Sequence, residues 1–194
     1  MFTGIIKKLS PVEKVFTEKE SLFVVIKKPK GWKVSLGQSI AINGVCSTVK
    51  KITAATFIVE YMPETIKKTT VARLSKGMMV NLETSLRFSD LLDGHMVQGH
   101  VDTTGKIVNI TPIKESEVMK IKVSVKFMQL IADKGSVAVD GISLTVVETG
   151  KDWFSISLVS FTLEHTNLGT VRIGDLVNIE TDVLAKYLFK LIKK

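Results

Sequence analysis

One cysteine, Cys46, stands among 194 residues, so no disulfide can form within the chain. The opening Met1-Phe2-Thr3-Gly4-Ile5-Ile6-Lys7-Lys8 lacks a basic segment leading into an apolar core. No signal peptide is therefore expected, and the expected compartment is the reducing cytoplasm. No apolar run approaches the ~18 residues of a membrane helix, so no membrane association is expected. Aromatic residues make up only 7% and do not interleave with basic ones as base-stacking surfaces require. Acidic residues are outnumbered, giving a formal net charge of +8, which raises nucleic acid as a partner. The excess lies in the first half, where residues 1–93 carry 15 basic and 8 acidic side chains against 12 and 11 in residues 94–194. It comes as scattered pairs such as Lys7-Lys8, Lys27-Lys28, Lys50-Lys51 and Lys67-Lys68, which read as solvated strand ends. No nucleic-acid partner is expected. Hydrophobic residues at 45% with 24% charged are the balance of a globular chain and exclude general disorder.

What the chain does have is self-similarity. Ser39-Ile40-Ala41-Ile42-Asn43-Gly44-Val45-Cys46-Ser47-Thr48-Val49 is answered by Ser136-Val137-Ala138-Val139-Asp140-Gly141-Ile142-Ser143-Leu144-Thr145-Val146, an offset of 97 residues. The same offset carries Gly77-Met78-Met79-Val80-Asn81-Leu82-Glu83-Thr84 onto Gly174-Asp175-Leu176-Val177-Asn178-Ile179-Glu180-Thr181. It also carries Thr65 onto Thr162, and at an offset of 95 Phe2-Thr3-Gly4 answers Val97-Gln98-Gly99. Blocks sharing an offset mark two tandem copies of one module. The expected division is residues 1–93, residues 94–182 and a tail, residues 183–194.

Each module reads as all-β. Asn43-Gly44 and Asp140-Gly141 are tight-turn dipeptides between alternating or β-branched segments, and about six short strands fit the length. The expected fold is two tandem six-stranded antiparallel Greek-key barrels, closure removing exposed edges. The tail is the exception. Asp182 can cap a helix over 183–192 with Val183, Leu184, Tyr187, Leu188, Leu191 and Ile192 on one face, a helix too short to be stable unless it docks.

Five segments carry a family resemblance: the opening Met1-Phe2-Thr3-Gly4-Ile5, the turn around Asn43-Gly44-Val45-Cys46, Gly94-His95-Met96-Val97-Gln98-Gly99-His100-Val101-Asp102, Asp140-Gly141-Ile142-Ser143-Leu144-Thr145, and Thr162-Leu163-Glu164-His165-Thr166-Asn167. In order and over essentially the whole chain, they resemble riboflavin synthase of the alpha-chain type. The resemblance implies an enzyme, a transferase that dismutates two 6,7-dimethyl-8-ribityllumazine molecules. One gives a four-carbon unit to the other, yielding riboflavin and 5-amino-6-(ribitylamino)uracil with no cofactor and no metal. It further implies one lumazine per barrel, and a homotrimer in which the N-terminal barrel of one subunit faces the C-terminal barrel of the next. Some family members are also carried inside a lumazine synthase shell. Duplication suits such a reaction, because two similar pockets can diverge into donor and acceptor sites.

The resemblance assigns catalytic roles to Cys46, His100, Ser39, Ser143 and Asp182. A lone cysteine is generically a small buried hydrophobe. Cys46 follows a tight turn, where a thiol can meet a ring and polarise it or add to it transiently. His100 matches the family's active-site histidine, and an imidazole is the side chain suited to take a proton from the donor's 7-methyl group. From the first copy of the module, Gly4, Ile5, Ile6, Val45, Ser47, Thr48, Glu60, Tyr61, Met62, Pro63, Glu64 and Thr65 are placed against substrate. Gly99, Val101, Lys134, Leu144, Thr145, Ser157, Leu158, Val159, Ser160, Phe161 and Thr162 follow in the second. A ribityl chain and a pyrimidine edge need neutral donors and acceptors, which repeat-matched hydroxyls provide, although threonine also simply favours strands. Lys134 is otherwise a surface lysine, and Asp182 can serve as cap and site carboxylate together.

His95 and His165 read as structural. The Gly-His-x-x-x-Gly-His spacing has no cysteine or carboxylate cluster beside it, so no metal site is expected. Ser47 departs from the family's usual leucine, and Ser160-Phe161 from its proline and polar residue. The competing reading is a non-catalytic lumazine- or flavin-binding protein of the same fold. Such relatives lose the histidine that this chain keeps as His100.

Overall fold

The computed structural model describes residues 1–192. Twelve strands form two closed antiparallel barrels, as the repeat predicts. The first comprises β1 (Lys8–Glu18), β2 (Ser21–Lys27), β3 (Ser39–Ile42), β4 (Val45–Ile52), β5 (Thr56–Tyr61) and β6 (Met79–Thr84). The second comprises β7 (Thr103–Ile113), β8 (Ser116–Lys122), β9 (Ser136–Val139), β10 (Ile142–Thr149), β11 (Trp153–Leu158) and β12 (Leu176–Thr181). Around the first barrel the order is β1-β2-β5-β4-β3-β6, and the second repeats it. Even the irregularities repeat: bulges fall at Val12/Lys14 and Val49/Lys51, then at Ile107/Asn109 and Val146/Glu148. Inward-facing residues such as Ile26, Ile40, Phe57 and Leu82 fill one core, and Ile107, Met119, Phe154 and Ile179 the other.

Short helices α1 (Pro63–Lys68) and α3 (Ser160–His165) follow β5 and β11, and the sequence pattern had not shown them. At six residues each is too brief to display helical periodicity. Helix α2 (Val125–Met128) belongs to the second copy alone. The first copy has Pro29 and Gly31 there, and Gly31 takes φ +82°. The expected terminal helix is present as α4 (Val183–Ile192), with Leu184 N donating to Asp182 Oδ1 at 2.9 Å. Its apolar residues are largely exposed, Leu188 at 59% and Leu191 at 66%.

The barrels meet about a pseudo-twofold axis. Asn81 N donates to Asn43 Oδ1 (2.7 Å), while its side-chain amide donates to Asp140 O and to Asn167 Oδ1. Asn178 mirrors this, donating from N to Asp140 Oδ1 (2.7 Å) and from Nδ2 to Asn43 O (2.8 Å). The copies differ in two places: the second has Asp140, with Asn167 Nδ2 donating to its Oδ2 at 2.7 Å, where the first has Asn43, and Asn167 is answered by Thr70. Burial pushes the Asp140 carboxyl up to about 6, against the lowering effect of those donors. Its folded value lies above the unfolded one, so its contribution favours the fold fully below pH 3.8 and is lost as pH rises through about 6. Wild type should therefore gain stability over Asp140→Asn by on the order of 2–3 kcal/mol as pH falls from about 7 to about 4. Urea titrations showing a pH-independent difference would contradict this.

Candidate functional site

The decisive local feature is an exchange of arms. Residues 2–6 precede the first barrel and residues 97–101 precede the second. They cross as a two-residue antiparallel bridge, with Phe2 N donating to Val97 O (2.7 Å) and Val97 N to Phe2 O (3.1 Å). Each arm then lies on the other barrel. Gly4 O accepts from Ser143 N of β10 (2.8 Å), and Gly99 O accepts from Cys46 N of β4 (2.9 Å). Ile6 packs on the second core and Val101 on the first. Both glycines are in left-handed conformation, and a Cβ on Gly99 would come within 2.7 Å of Cys46 Cβ. Phe2, Val97, Ala41 and Ala138 make a small core beneath the crossing, with Cys46 against it.

One glutamate clamps each arm. Glu83 Oε1 accepts from Thr3 N and Thr3 Oγ1, both at 2.7 Å, and its Oε2 from Gly4 N at 3.0 Å. Glu180 accepts from Gln98 N at 2.7 Å. Burial raises both carboxyls, and the donated hydrogen bonds oppose the rise.

The exchange brings Cys46 and His100 together. They line one cavity of about 170 Å³ with Val45, Glu64, Thr65, Lys68, Thr69, Gly99 and Val101. The thiol is half-buried and free, and the imidazole is exposed. Six further residues expected against substrate, Val45, Glu64, Thr65, Gly99, His100 and Val101, thus surround Cys46, whereas Lys68 and Thr69 were missed. An exposed lysine on a one-turn helix carries no sequence signal of its own. Lys68 pairs with Glu64 at 2.7 Å.

A second cluster forms on the other barrel from Ser143, His95 and Asp182. His95 Nδ1 lies 2.7 Å from Ser143 Oγ, and burial lowers its pKa while the Asp182 carboxylate pulls it upward. His95 Nε2 is buried without a hydrogen-bond partner among the described residues. The sequence reading of His95 as structural did not place it beside Ser143. Gly4 and Ile5 belong to this side. So does the Phe161–His165 ring stack, 4.1 Å between centroids, which occupies the helix positions held by the Glu64–Lys68 ion pair in the first barrel.

The remaining candidates sit as follows. The Ser47 hydroxyl is buried, donating to Val45 O (2.8 Å) and meeting Tyr61 Oη at 2.8 Å, and burial pushes the Tyr61 phenol upward. Leu144 and Leu158 are buried in the second core. Glu60 pairs with Lys50, which holds its carboxyl below the usual range. Met62 and Pro63 start α1, and Val159 and Ser160 start α3. Ser39 is the register partner of Thr48, and Thr145 and Ser157 are exposed on β10 and β11. Lys134 holds φ +64° at the position where the first copy has Gly37 at φ +75°. Among the described residues, no cluster of three or more His, Cys, Asp or Glu is placed to hold a metal ion.

Comparison with known proteins agrees with the twofold repeat and the fold. The lumazine binding domain family matches twice, over residues 3–85 and 98–182. A riboflavin synthase from Actinobacillus pleuropneumoniae is 40% identical over 195 residues, covering 100% of this chain and 91% of that protein. One from Bacillus subtilis is 37% identical with the same coverage. The crystal structure of LumP complexed with riboflavin superposes with a TM-score of 0.87 at 27% identity, covering 93% of this chain and 99% of LumP. LumP has also been solved with 6,7-dimethyl-8-ribityllumazine, at a TM-score of 0.85 and 26% identity over 93% of this chain and 99% of LumP.

Proposed function

The chain belongs to the riboflavin synthase family, with a lumazine-binding repeat in each barrel, and we propose that its arm exchange assembles the reactive half of that enzyme's site. It converts two 6,7-dimethyl-8-ribityllumazine molecules into riboflavin and 5-amino-6-(ribitylamino)uracil by four-carbon transfer. The atoms balance between two identical substrates, so the protein's task is to hold them in unequal roles. The observation carrying the assignment of roles is that Cys46 and His100, distant in sequence, line one cavity. His100 takes the proton from the 7-methyl group of one lumazine, whose carbanion delocalises into the pteridine ring. Cys46 stands at the ring face as nucleophile or polariser. Ser143, with His95 and Asp182, serves the second pocket, where the Phe161–His165 stack gives an aromatic wall in place of an ion pair. Ser39, Lys134 and the hydroxyls of Thr48, Thr65, Thr145 and Thr162 hold ribityl and pyrimidine groups.

Residues 1–93 and 94–182 are the two domains, and residues 183–194 the assembly element of a homotrimer working in the cytoplasm. Support for assembly comes from the exposed leucines of α4. Burying each contributes on the order of 1.5–3 kcal/mol. Co-sedimentation with lumazine synthase tests whether the trimer associates with that shell.

The likeness to LumP favours a second reading, a barrel pair that binds lumazine or riboflavin without turnover. Incubating the purified protein with the lumazine separates the two, because riboflavin absorbance and fluorescence grow with time only for the enzyme. Removing residues 184–194 should leave folded barrels that bind lumazine but scatter light as monomers and turn over poorly. A persistent trimer with full activity would sink the assembly role.

A further inference from the structure

His100 is anchored on both sides by β12 of the barrel that its own segment leads into. Before it, Gln98 N donates to Glu180 Oε1 of β12 at 2.7 Å. After it, Asp102 N donates to Ile179 O at 2.9 Å, and Asp102 Oδ2 accepts from Thr181 N (2.8 Å) and Thr181 Oγ1 (2.9 Å). The same oxygen receives a third donor, Lys186 Nζ of α4, at 2.8 Å, with the two side chains only 24% and 20% exposed. An ion pair so placed ties the terminal helix to the segment two residues beyond the histidine.

The first arm shows which part of this is general and which is particular. Lys7 is the counterpart of Asp102, and Lys7 N donates to Leu82 O at 3.0 Å just as Asp102 N donates to Ile179 O. The glutamate clamp is also common to both arms. The carboxylate and its helix contact are found only on the arm that carries His100, since Lys7 is a cation exposed on the surface.

We propose that Lys186 and Asp102 are positioning residues for His100, through which the seating of α4 sets the imidazole over Cys46. This rests on the role given to His100 above. Gly99 is held through its carbonyl on Cys46 N at 2.9 Å, so loosening the second anchor frees the stretch beyond it, which is His100 itself. A displacement near 1 Å costs up to about a hundredfold in rate.

Lys186→Met and Asp102→Asn should lower kcat by roughly ten- to a hundredfold with the KM for lumazine little changed, and Lys186→Arg should restore most of the rate. The chain has three histidines, so proton NMR resolves their ring signals, and His100→Ala identifies one of them. That signal should shift in Lys186→Met while the other two stay. Light scattering should give Lys186→Met the molar mass of wild type. An unmoved His100 signal, an unchanged kcat, or a rate loss that follows a change in molar mass would overturn the proposal. Should wild type form no riboflavin, the enzymatic reading fails, and the NMR signal still decides whether Lys186 positions the ring.

Discussion

Cys46→Ala and His100→Ala should each cut riboflavin formation by about 10²–10⁴-fold, the usual loss when one acid–base or nucleophilic group is removed. Lumazine should still bind, because Thr65, Thr69 and the backbone of Gly99 remain around the cavity. The double variant should lose little more than the worse single one, since groups acting on one reaction coordinate are not additive. His95→Ala separates the two clusters. It removes the partner of Ser143 Oγ and leaves the Cys46 cavity intact. Single-turnover kinetics with fluorescence titration of lumazine checks all four proteins. Wild-type turnover from both single variants would remove Cys46 and His100 from the chemistry.

A large loss of stability is expected where the two tight turns touch. A Cβ on Gly44 would lie 2.6 Å from Gly141 N, and one on Gly141 2.7 Å from Gly44 Cα and N, and both residues are left-handed. Gly44→Ala combines conformational strain of about 1–2 kcal/mol with overpacking of about 1–3 kcal/mol. Melting should fall by roughly 5–15 °C for a chain of this size. Gly37→Ala is the control: its φ is +75°, yet nothing lies within 4 Å of the added carbon. It should show the strain alone. Equal melting points for the two variants would mean that the close approach of the turns carries no energy.

The barrels were legible because strand periodicity and turn dipeptides survive in both copies, and a match at one offset fixes which segments correspond. The Asp182 cap was legible because a capping side chain acts on its immediate neighbours in sequence. The arm exchange was not. A two-residue bridge has no period, and sequence similarity between Phe2-Thr3-Gly4 and Val97-Gln98-Gly99 says that the arms are alike without saying on which barrel each lies. The same blindness hid His95 beside Ser143, because nothing local announces a contact across 48 residues. Asn81 and Asn178 did carry a signal. Each is a polar residue kept between apolar neighbours in both copies, Val80-Asn81-Leu82 and Val177-Asn178-Ile179, and each proves buried at the axis.

The reciprocal crossing of Phe2 and Val97 bears on how such a chain could have arisen. The main contacts about the axis are answered by their mirrors: arm on opposite barrel, turn on turn, asparagine on opposite turn. Two separate polypeptides of one repeat would meet in this way as an arm-swapped dimer, each completing its twin's cavity with its own leading residues. Joining them end to end preserves both cavities and releases the twins from being identical. Only after that fusion can one arm keep Ile5 while the other carries His100, and one strand keep Ser143 while the other presents a thiol.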